Sequence, residues 1–554
     1  MKIKSVPFVF QVLFISIFGM YFYHLFLNFY LDDAALYAAL SETMVNTGDY
    51  ISLMHNGKDW LDKPHFPFWI SAWFFKVFGI SSFSYYLPLT LSIFGAFIYT
   101  YKFAKTYYGK EVGWLSVLIL STSQYMILSS TEGRIEPYLT LCVIAGIYHF
   151  DKGIKSGKKL DYVLVSLFAA IAVMTKGIFI LIPIFGGIFG HLIYYHKSIS
   201  FLWDWIWLWL GAWLIIFILP EIYALYIQFD SQPEKLIFGK TNVSGIRWFL
   251  WDSQFSRLVN SGPITRSNGD PFFYVHTLLW AFFPWCFLLY GSFFQRVKSW
   301  AKKIELKEGY TLFGSVFVLL IFSISKFQLP HYTTIIFPLF SIMVADFLIN
   351  NQKKWVKLLL NISIGLAISL AIGLGIYILF AVDASISLII TLGCIAAVTI
   401  LVITTDISLE KKAIAFGVVA ILIINSILGQ FIVPEISNKG GLNAAKFINE
   451  ENKIDSILVV GQGPKITDEA PSFANFYLKK PFRKTYDLQL QDLKGYDYVL
   501  AYDNPNAFEL LADAGFVEIN HFDHYPLEGI NAALLDSQKK EKLMKKFLLF
   551  ERRK

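Results

Sequence analysis

Long apolar segments recur through the first 433 residues, and they constrain the fold more than any other feature of this chain. A helix that crosses a bilayer needs about 20 mostly apolar residues. Candidate segments lie near 6–31, 82–104, 112–130, 136–150, 161–175, 177–195, 202–228, 272–293, 310–325, 331–350, 358–381, 386–405 and 413–433. The sequence therefore predicts an α-helical polytopic membrane protein with about thirteen transmembrane helices.

Composition excludes the main alternatives to a membrane protein. Hydrophobic residues make up 55% of the chain and charged residues only 16%, whereas a soluble domain carries roughly 25% charge. Low charge and high hydrophobicity also argue against disorder. The three cysteines, Cys142, Cys286 and Cys394, lie in apolar segments and show neither disulfide nor metal spacing. No small-residue cleavage site follows the first segment, so we expect it to be retained.

The distribution of lysine and arginine predicts the orientation of the chain. Short loops on the cytoplasmic side are rich in these residues. With a cytoplasmic N-terminus, that side collects the basic residues near 2–4, 102–110, 152–159, 296–307, 353–357 and 411–412. The other side then holds two long loops, 32–81 and 230–271, and the C-terminal tail. The net charge of +7 is accordingly attributed to the positive-inside bias, and no nucleic-acid partner is expected.

Beyond about residue 434 the composition changes to that of a soluble domain. Strand-like runs at 456–460 and 498–502 alternate with helical patterns near 441–451 and 505–514, which predicts a small α/β domain. The turn Gly461-Gln462-Gly463 lacks the full dinucleotide fingerprint, so no cofactor is expected there. We therefore divide the chain into a transmembrane domain, 1–433, and a soluble periplasmic α/β domain, 434–554.

Several charged residues lie at helix ends on the predicted outer side, where the positive-inside bias does not explain them. A charge at membrane depth costs at least roughly 2.5–3.5 kcal/mol. Asp33 follows the first segment, in Leu31-Asp32-Asp33-Ala34. It could act as a general base at the membrane surface, or it could cap the helix that follows.

The segment Asp62-Lys63-Pro64-His65 places a lysine among aromatic residues. Lys63 could bind a phosphate as a point charge, or it could anchor the loop at the interface. Asp62 and His65 are candidate ligands for a divalent metal ion, although two groups are few for a site.

Two further segments carry isolated charges at helix ends. In 132–137, Arg134 could bind an anion and Glu136 a polar substrate, or Arg134 could pair with a neighbouring glutamate. Lys176 lies in the short turn Thr175-Lys176-Gly177 between two apolar segments, with no acidic residue beside it in sequence. It could snorkel to the interface or bind substrate.

Two more segments add donors on the same side. The turn at 322–332 supplies Lys326, His331 and Tyr332. The second outer loop supplies three arginines, Arg247, Arg257 and Arg266, and an aromatic run at 270–274. Cations, aromatics and a few carboxylates at the outer surface suit a lipid-linked phosphosugar. Transfer of its sugar would need a carboxylate to deprotonate the acceptor hydroxyl, and cations to neutralise charge on the phosphate.

In this order, the segments resemble the motifs of the integral-membrane glycosyltransferases related to protein O-mannosyltransferases, and most closely the lipid A 4-amino-4-deoxy-L-arabinose transferase family. The matching residues are Asp33 with Tyr37-Ala38, Gly48-Asp49-Tyr50, Asp62-Lys63-Pro64-His65, Glu136-Pro137, Thr175-Lys176-Gly177, Pro271-Phe272-Phe273-Tyr274 with Pro284-Trp285, and Phe322 through Tyr332. A further pattern is half present in Gln254 and Arg257. The resemblance covers roughly residues 1–350.

The resemblance implies a role for each matching residue. It implies a polyprenyl-phosphate sugar, such as an undecaprenyl-phosphate sugar, as donor, and a lipid A-like, glycan or protein acceptor outside a bacterial cytoplasmic (inner) membrane. Asp33 would be the catalytic carboxylate, with Glu136 and Lys176 facing the sugar or acceptor. Lys63 and Arg257 would bind the lipid phosphate, and Tyr332 with Lys326 would line its groove.

Departures from the family pattern indicate a divergent member. Ala34 follows Asp33 where the family often has Glu, His65 replaces a proline, and Glu136 replaces Asp. Gln254 stands where His is common, which weakens the case for a family-type metal. A flippase is the alternative function, but it predicts charges near the midplane on broken helices in repeated halves, and the sequence shows neither. A non-catalytic scaffold would not need Asp33 and Lys63 together.

Overall fold

The computed structural model describes residues 7–29, 31–55, 57–196, 199–259, 261, 269–351, 353–381, 386–429, 440–461, 476–485, 488–524 and 541–553. Up to residue 429 the described chain is almost entirely helical. Its helices are α1 Phe8–His24, α2 Asp32–Thr47, α3 Phe66–Phe78, α4 Ser82–Tyr108, α5 Lys110–Thr122, α6 Gln124–Thr131, α7 Glu136–Ser156, α8 Lys159–Lys176, α9 Leu181–His196, α10 Ile206–Leu225, α11 Gly245–Arg247, α12 Ser253–Val259, α13 Phe273–Ala281, α14 Cys286–Ala301, α15 Tyr310–Ile324, α16 Phe337–Asn350, α17 Lys354–Ala381, α18 Ile386–Thr404 and α19 Leu409–Ile427.

The predicted polytopic helical membrane fold is confirmed. Among the described residues, five helical segments are long and apolar enough to cross a bilayer, and they are Ser82–Tyr108, Ile178–His196, Ile206–Asp230, Pro330–Asn350 and Lys354–Tyr377. The pair α5 and α6 also qualifies, although it bends by 56°. Several shorter apolar helices, including α1 and α15, pack beside them.

The bend between α5 and α6 interrupts what the sequence predicts as one segment, 112–130. A run of hydroxyl residues ends α5: Thr122 Oγ1 donates to the Leu118 carbonyl at 2.5 Å, and Ser123 Oγ donates to that of Leu120 at 2.7 Å. Such bonds compete with the helical ladder, and Ser123 itself is extended. The bend directs α6 toward the turn that carries Arg134.

The predicted first outer loop, 32–81, contains two helices and a small hairpin. The hairpin strands are β1 Met54–His55 and β2 Lys58–Asp59, which pair antiparallel. Helices α2 and α3 pack on each other over a buried aromatic cluster that includes Tyr37, Trp60 and Phe68. The loop is therefore a folded cap on one end of the helix bundle.

Glu42 lies half-buried in α2 of this cap, and burial raises the pKa of its carboxyl to about 7, against the opposing hydrogen bond from Asn46. Because folding raises the pKa of Glu42, the buried, protonated side chain contributes its full share of folding stability below about pH 4.5. That contribution is lost as the pH rises through 7. We expect Glu42→Gln to exceed the wild type in stability by on the order of 2 kcal/mol at pH 8. At pH 5 the two proteins should unfold at nearly the same temperature, and an equal gap at both pH values would contradict this origin.

The predicted C-terminal α/β domain is also confirmed. Its five strands are β3 Ile457–Val460, β4 Phe482–Thr485, β5 Tyr498–Tyr502, β6 Phe516–His524 and β7 Lys545–Arg552, and its helices are α20 Gly440–Glu450 and α21 Pro505–Asp513. The strand order is β4-β3-β5-β7-β6, with β3, β4 and β5 parallel and β7 antiparallel to both neighbours. The predicted strands correspond to β3 and β5, the two fully buried ones.

Strands β4 and β6 escaped the sequence-based prediction for a physical reason. Strand β4 is polar and lies at the sheet edge, and β6 alternates half-exposed and exposed residues at the opposite edge. Strands of this kind lack the continuous apolar run by which β3 and β5 are recognised. Of the turn Gly461-Gln462-Gly463, only Gly461 falls within the described residues.

Candidate active site

Asp33 and Arg134 form an ion pair at the end of the helix bundle beneath the cap. The Arg134 guanidinium donates from Nη1 to Asp33 Oδ2 at 2.5 Å and from Nε to Glu132 Oε2 at 2.9 Å. Tyr125 donates its hydroxyl to the same Glu132 oxygen at 2.9 Å. Asp33 lies in the first turn of α2, whose N-cap residue, Leu31, makes no side-chain cap bond. The geometry thus favours a polar site over the capping role for Asp33.

Gly133 allows the two partners to approach each other. Its φ is +66°, a backbone conformation that favours glycine. A Cβ at this position would lie 2.7 Å from the Cβ of Ala34. The small residue after Asp33 and the glycine before Arg134 therefore let α2 and the turn after α6 come into direct contact.

Glu136 and Lys176 form a second ion pair, between the start of α7 and the end of α8. Lys176 Nζ lies 2.5 Å from Glu136 Oε1. The same ammonium sits 4.0 Å from the centroid of the Tyr332 ring, and His331 Nε2 lies 3.7 Å from Glu136 Oε1. Lys176 has no acidic residue beside it in sequence, and its partner Glu136 lies 40 residues earlier in the chain.

The turn after Lys176 is shaped by Gly177. Its φ is +96°, and a Cβ there would lie 2.3 Å from Nε2 of Gln254. Gln254 uses that amide to donate to the Lys176 carbonyl at 3.2 Å. The glycine therefore lets α12 of the second predicted outer loop pack directly on the lysine turn.

Asp62, Lys63 and Arg257 form a third ionic group. Arg257 Nη2 lies 2.5 Å from Asp62 Oδ1, and the Lys63 ammonium pairs with the other carboxylate oxygen. Burial by itself would raise the pKa of the Asp62 carboxyl, but Lys63 and Arg257 hold it below its usual range. The three side chains are each about 16% exposed. Asp62 is therefore a carboxylate that holds two cations close together.

The three ionic groups belong to one site. Lys176 interacts electrostatically with Lys63 and Arg257 as well as with Glu136. Buried Tyr37 interacts with Asp33, Arg134 and Asp62, and so links the first group to the third. The structure thus brings together residues that lie on the cap, on α7 and α8, and on the second predicted outer loop.

Charge is distributed unevenly across this site. One half holds three cations, Lys63, Lys176 and Arg257, with Asp62 between two of them. The other half holds three carboxylates, Asp33, Glu132 and Glu136, and Arg134. An anion is favoured at the first half and a hydroxyl or amine at the second.

A cavity opens beside the cationic half. Its empty volume, including the part open to solvent, is about 660 Å³. Lys176, Gln254, Arg257, Tyr274 and Tyr332 supply polar atoms to its lining, and the other lining residues are mostly apolar, among them Leu139, Phe179, Ile180, Leu258, Ile321, Phe322, Phe327 and Ile335. A hydrocarbon chain with an anionic end group fits such a lining.

Lys326, predicted to lie beside Tyr332 at the donor groove, does not line this cavity. Its side chain is exposed, while its neighbours Ser325 and Phe327 line the cavity. The backbone N–H of Lys326 donates to the Leu258 carbonyl at 3.0 Å, which fixes this extended turn with alternate side chains directed inward. Arg266, named with the same loop, lies outside the described residues.

His65 and Asp62 do not lie as a pair of metal ligands. His65 Nδ1 lies 2.9 Å from Glu221 Oε1 and Nε2 lies 2.8 Å from the Ile51 carbonyl, so both ring nitrogens are used. The two carboxylate oxygens of Asp62 pair with Lys63 and Arg257. In the part of the chain that the structure describes, no three His, Cys, Asp or Glu side chains are grouped as metal ligands. These side chains therefore do not fit a shared ion, and His65 instead anchors the cap to α10.

We expect Glu221→Ala to destabilise the protein by about 3 kcal/mol, because it leaves His65 buried without its partner. His65 and Glu221 are both fully buried, and Glu221 also accepts the His65 backbone N–H at 3.0 Å. Thermal unfolding of the purified protein measures the loss, and Glu221→Gln should recover part of it. A wild-type midpoint that falls when a chelator is added would contradict the anchor and favour an ion at His65.

Sequence reasoning missed three functional candidates. Glu221 interrupts a strongly apolar helix, and an acid within such a segment is itself a signal. Tyr37 and Tyr274 were noted only as parts of motifs. Tyr37 lies one turn after Asp33 on α2, so helical spacing could have indicated it. The place of Tyr274 in the cavity wall depends on helices distant in sequence, so no local pattern could reveal it.

Part of this chain is similar in sequence to a known protein family and to several known proteins. Residues 62–223 match the family model described as dolichyl-phosphate-mannose-protein mannosyltransferase. An uncharacterized protein of Aquifex aeolicus is 27% identical over 63% of this chain and 65% of its own length. The undecaprenyl phosphate-alpha-4-amino-4-deoxy-L-arabinose arabinosyl transferase of Enterobacter sp. (strain 638) is 25% identical over 56% of this chain and 54% of its own. The chain thus spans less than two thirds of the length of these relatives.

The fold extends the similarity to almost the whole chain. The crystal structure of ArnT from Cupriavidus metallidurans bound to undecaprenyl phosphate matches with a TM-score of 0.69 at 16% identity, covering 98% of both chains. The apo structure of the same protein matches with a TM-score of 0.67 at 16% identity, over 92% of this chain and 96% of that one. The resemblance predicted from the motifs is therefore confirmed: the chain is similar in sequence to the aminoarabinose transferases and to the mannosyltransferase family model, and it shares the fold of ArnT from Cupriavidus metallidurans.

Proposed function

We propose that this protein is a glycosyltransferase that moves a sugar from a polyprenyl-phosphate carrier to an acceptor on the outer side of a bacterial cytoplasmic membrane. One observation carries the proposal: a cationic half, beside an apolar cavity, adjoins a carboxylate-rich half containing Asp33. The names of the relatives, undecaprenyl phosphate-dependent arabinosyl transferases, support the same class of reaction.

Asp33 is proposed to act as the general base. The acceptor hydroxyl oxygen attacks the anomeric carbon, the bond from that carbon to the phosphate oxygen breaks, and the hydroxyl proton passes to Asp33. Arg134, at 2.5 Å, orients the carboxylate until the acceptor binds. Because phosphate is a good leaving group, the reaction needs no acid at that oxygen.

The cations of the other half are proposed to bind the carrier phosphate. Arg257 can donate two hydrogen bonds from its planar guanidinium, and Lys63 and Lys176 add point charges. Negative charge accumulates on the phosphate as the sugar leaves, so these groups stabilise the transition state more than the bound donor. Glu136 holds Lys176 and faces the sugar or acceptor, and Tyr332 forms the adjoining wall.

We propose the following arrangement in the membrane. Residues 1–433 cross it about thirteen times from a cytoplasmic N-terminus, and residues 434–554 form a periplasmic domain. The lysine and arginine bias of the loops supports this orientation. A flippase of the same lipid is not favoured, because the ionic residues lie at helix ends near the cap.

The sugar and the acceptor can be identified in a deletion strain of the source bacterium. We expect one polyprenyl-monophosphate sugar to accumulate in its lipids and one residue to disappear from a lipid A-like, glycan or protein acceptor, as measured by mass spectrometry. Complementation with the wild type should restore both, and complementation with Asp33→Asn neither. Unchanged lipid-linked sugars and unchanged surface glycans would refute the proposal.

A further inference from the structure

A segment of the C-terminal domain packs on the backbone just before Asp33. The hydroxyl of Tyr477 accepts a hydrogen bond from the Phe29 backbone N–H at 2.9 Å. The Phe29 ring centroid lies 5.0 Å from that of Phe476 and 5.8 Å from that of Tyr477. Phe29 is 1% exposed and Phe476 is 7% exposed. This contact joins the soluble domain to a position four residues ahead of the proposed base.

Phe29 is also linked, through two tyrosines, to the turn that carries Arg134, the other partner of the ion pair. Its ring lies 5.2 Å from that of Tyr85 and 5.5 Å from that of Tyr86. Tyr85 donates its hydroxyl to the Gly133 carbonyl at 2.8 Å, and Tyr86 donates to that of Thr131 at 2.8 Å. Phe29 therefore touches the side chains that hold the turn carrying Arg134.

The segment is held firmly from its own side. Asn449, in α20, donates to the Tyr477 carbonyl at 2.8 Å and accepts the Lys479 backbone N–H at 2.9 Å. Leu478, between them, is buried in the core of the sheet domain with Ile457 and Leu500. Phe476, in contrast, is buried in the cluster beneath the cap, with Ala34 and Tyr37. Phe476 and Leu478, two positions apart, thus belong to two different cores. The segment therefore has little freedom to move independently of either core.

We propose that Phe476 and Tyr477 are positioning residues for the transfer reaction, and that through them the C-terminal domain sets the placement of Asp33 against Arg134. The inference rests on the proposed function. Neither residue would touch the substrate. A misplacement of about 1 Å can cost roughly 100-fold in rate, so a contact that fixes the backbone before the base affects turnover without contributing to donor binding.

The test compares Tyr477→Phe with the wild type in the full-length protein reconstituted with membrane lipids of the deletion strain. Tyr477→Phe keeps the ring and removes the hydroxyl, which accepts the Phe29 N–H and also hydrogen-bonds the Ser82 side chain. We expect the rate of polyprenyl-phosphate release at saturating donor to fall roughly tenfold, as the loss of about 1.4 kcal/mol implies. The donor concentration for half-maximal rate and the affinity for undecaprenyl phosphate should stay within about twofold.

Tyr498→Phe is the matched control. It also removes one tyrosine hydroxyl, which in this case donates to Glu551 at 2.8 Å inside the sheet domain, and we expect wild-type turnover. Phe476→Ala should reduce turnover further, and Phe476→Leu should recover most of it. Amide hydrogen exchange at Phe29 should accelerate in Tyr477→Phe and not in Tyr498→Phe, which checks the contact without any activity.

The outcomes separate this inference from the proposed function. An active wild type with equal turnover in Tyr477→Phe would overturn the inference alone. A variant that loses donor affinity as much as turnover would also overturn it, since the segment would then contribute to binding. A wild type that releases no polyprenyl phosphate while binding it normally would refute the proposed function, and accelerated exchange at Phe29 would then show only a structural contact.

Discussion

Replacing Asp33 by asparagine should reduce sugar transfer by about 1,000-fold, within the range expected for loss of a general base. The substitution keeps the size of the side chain and its ability to accept a bond from Arg134. It removes the carboxylate that takes the acceptor proton. Since the cations that would hold the phosphate are paired with Asp62 and Glu136 rather than with Asp33, donor binding should change by less than about twofold.

Two measurements on the same purified protein check this expectation. Release of polyprenyl phosphate from the donor gives turnover, and quenching of tryptophan fluorescence by undecaprenyl phosphate gives affinity. Asp252→Asn is the control, because Asp252 pairs with the exposed Arg247 in the second predicted outer loop. Full turnover in Asp33→Asn would eliminate this residue as the base, and an equal loss of affinity would place it in the donor site instead.

Replacing Arg257 by methionine should weaken binding of undecaprenyl phosphate by 10- to 100-fold, as expected when a buried partner of a charge pair is removed. The guanidinium lies 2.5 Å from Asp62 and lines the apolar cavity. Methionine retains much of the apolar stem but cannot donate to the phosphate. In addition, Asp62 loses one of its two cations, so its negative charge is less well neutralised and repels the phosphate.

Arg247→Met is the matched control for this variant. Arg247 lies in the same predicted loop, pairs with Asp252 and is 73% exposed, so its replacement should leave affinity unchanged. The loss in Arg257→Met should persist at high salt, because a buried interaction is screened little. Equal affinities of Arg257→Met and the wild type would remove Arg257 from the donor site and leave Lys63 and Lys176 as its cations.

The fold was predictable where its cause is local. An apolar segment of membrane length must be helical in a bilayer because its backbone can be satisfied in no other way without partners. The buried strands β3 and β5 were recognisable for a similar reason, as short continuous apolar runs. The bend at Ser123 was not predicted, because it depends on which hydroxyl side chains bond back to the helix and on what packs against them.

The site was partly predictable, and the reason lies in the cost of burying charge. Lys63 and Lys176 stand where the positive-inside bias does not require cations, so each could be singled out from sequence, whereas Arg257 received a role only through the family resemblance. Lys326 met the same criterion, yet its side chain is exposed and does not line the cavity, since the criterion detects a charge near the membrane and not the direction of its side chain.

By itself, the sequence determined that this chain is a helical membrane protein with a small soluble domain and which ionic residues call for an explanation. Those properties depend on hydrophobicity and charge along the chain, which are local. Only the tertiary structure decided that Asp33 pairs with Arg134, that His65 anchors the cap through Glu221, and that Tyr477 holds Phe29. Each of these contacts joins residues about 100 or more positions apart, and such pairing follows from how helices and domains pack together.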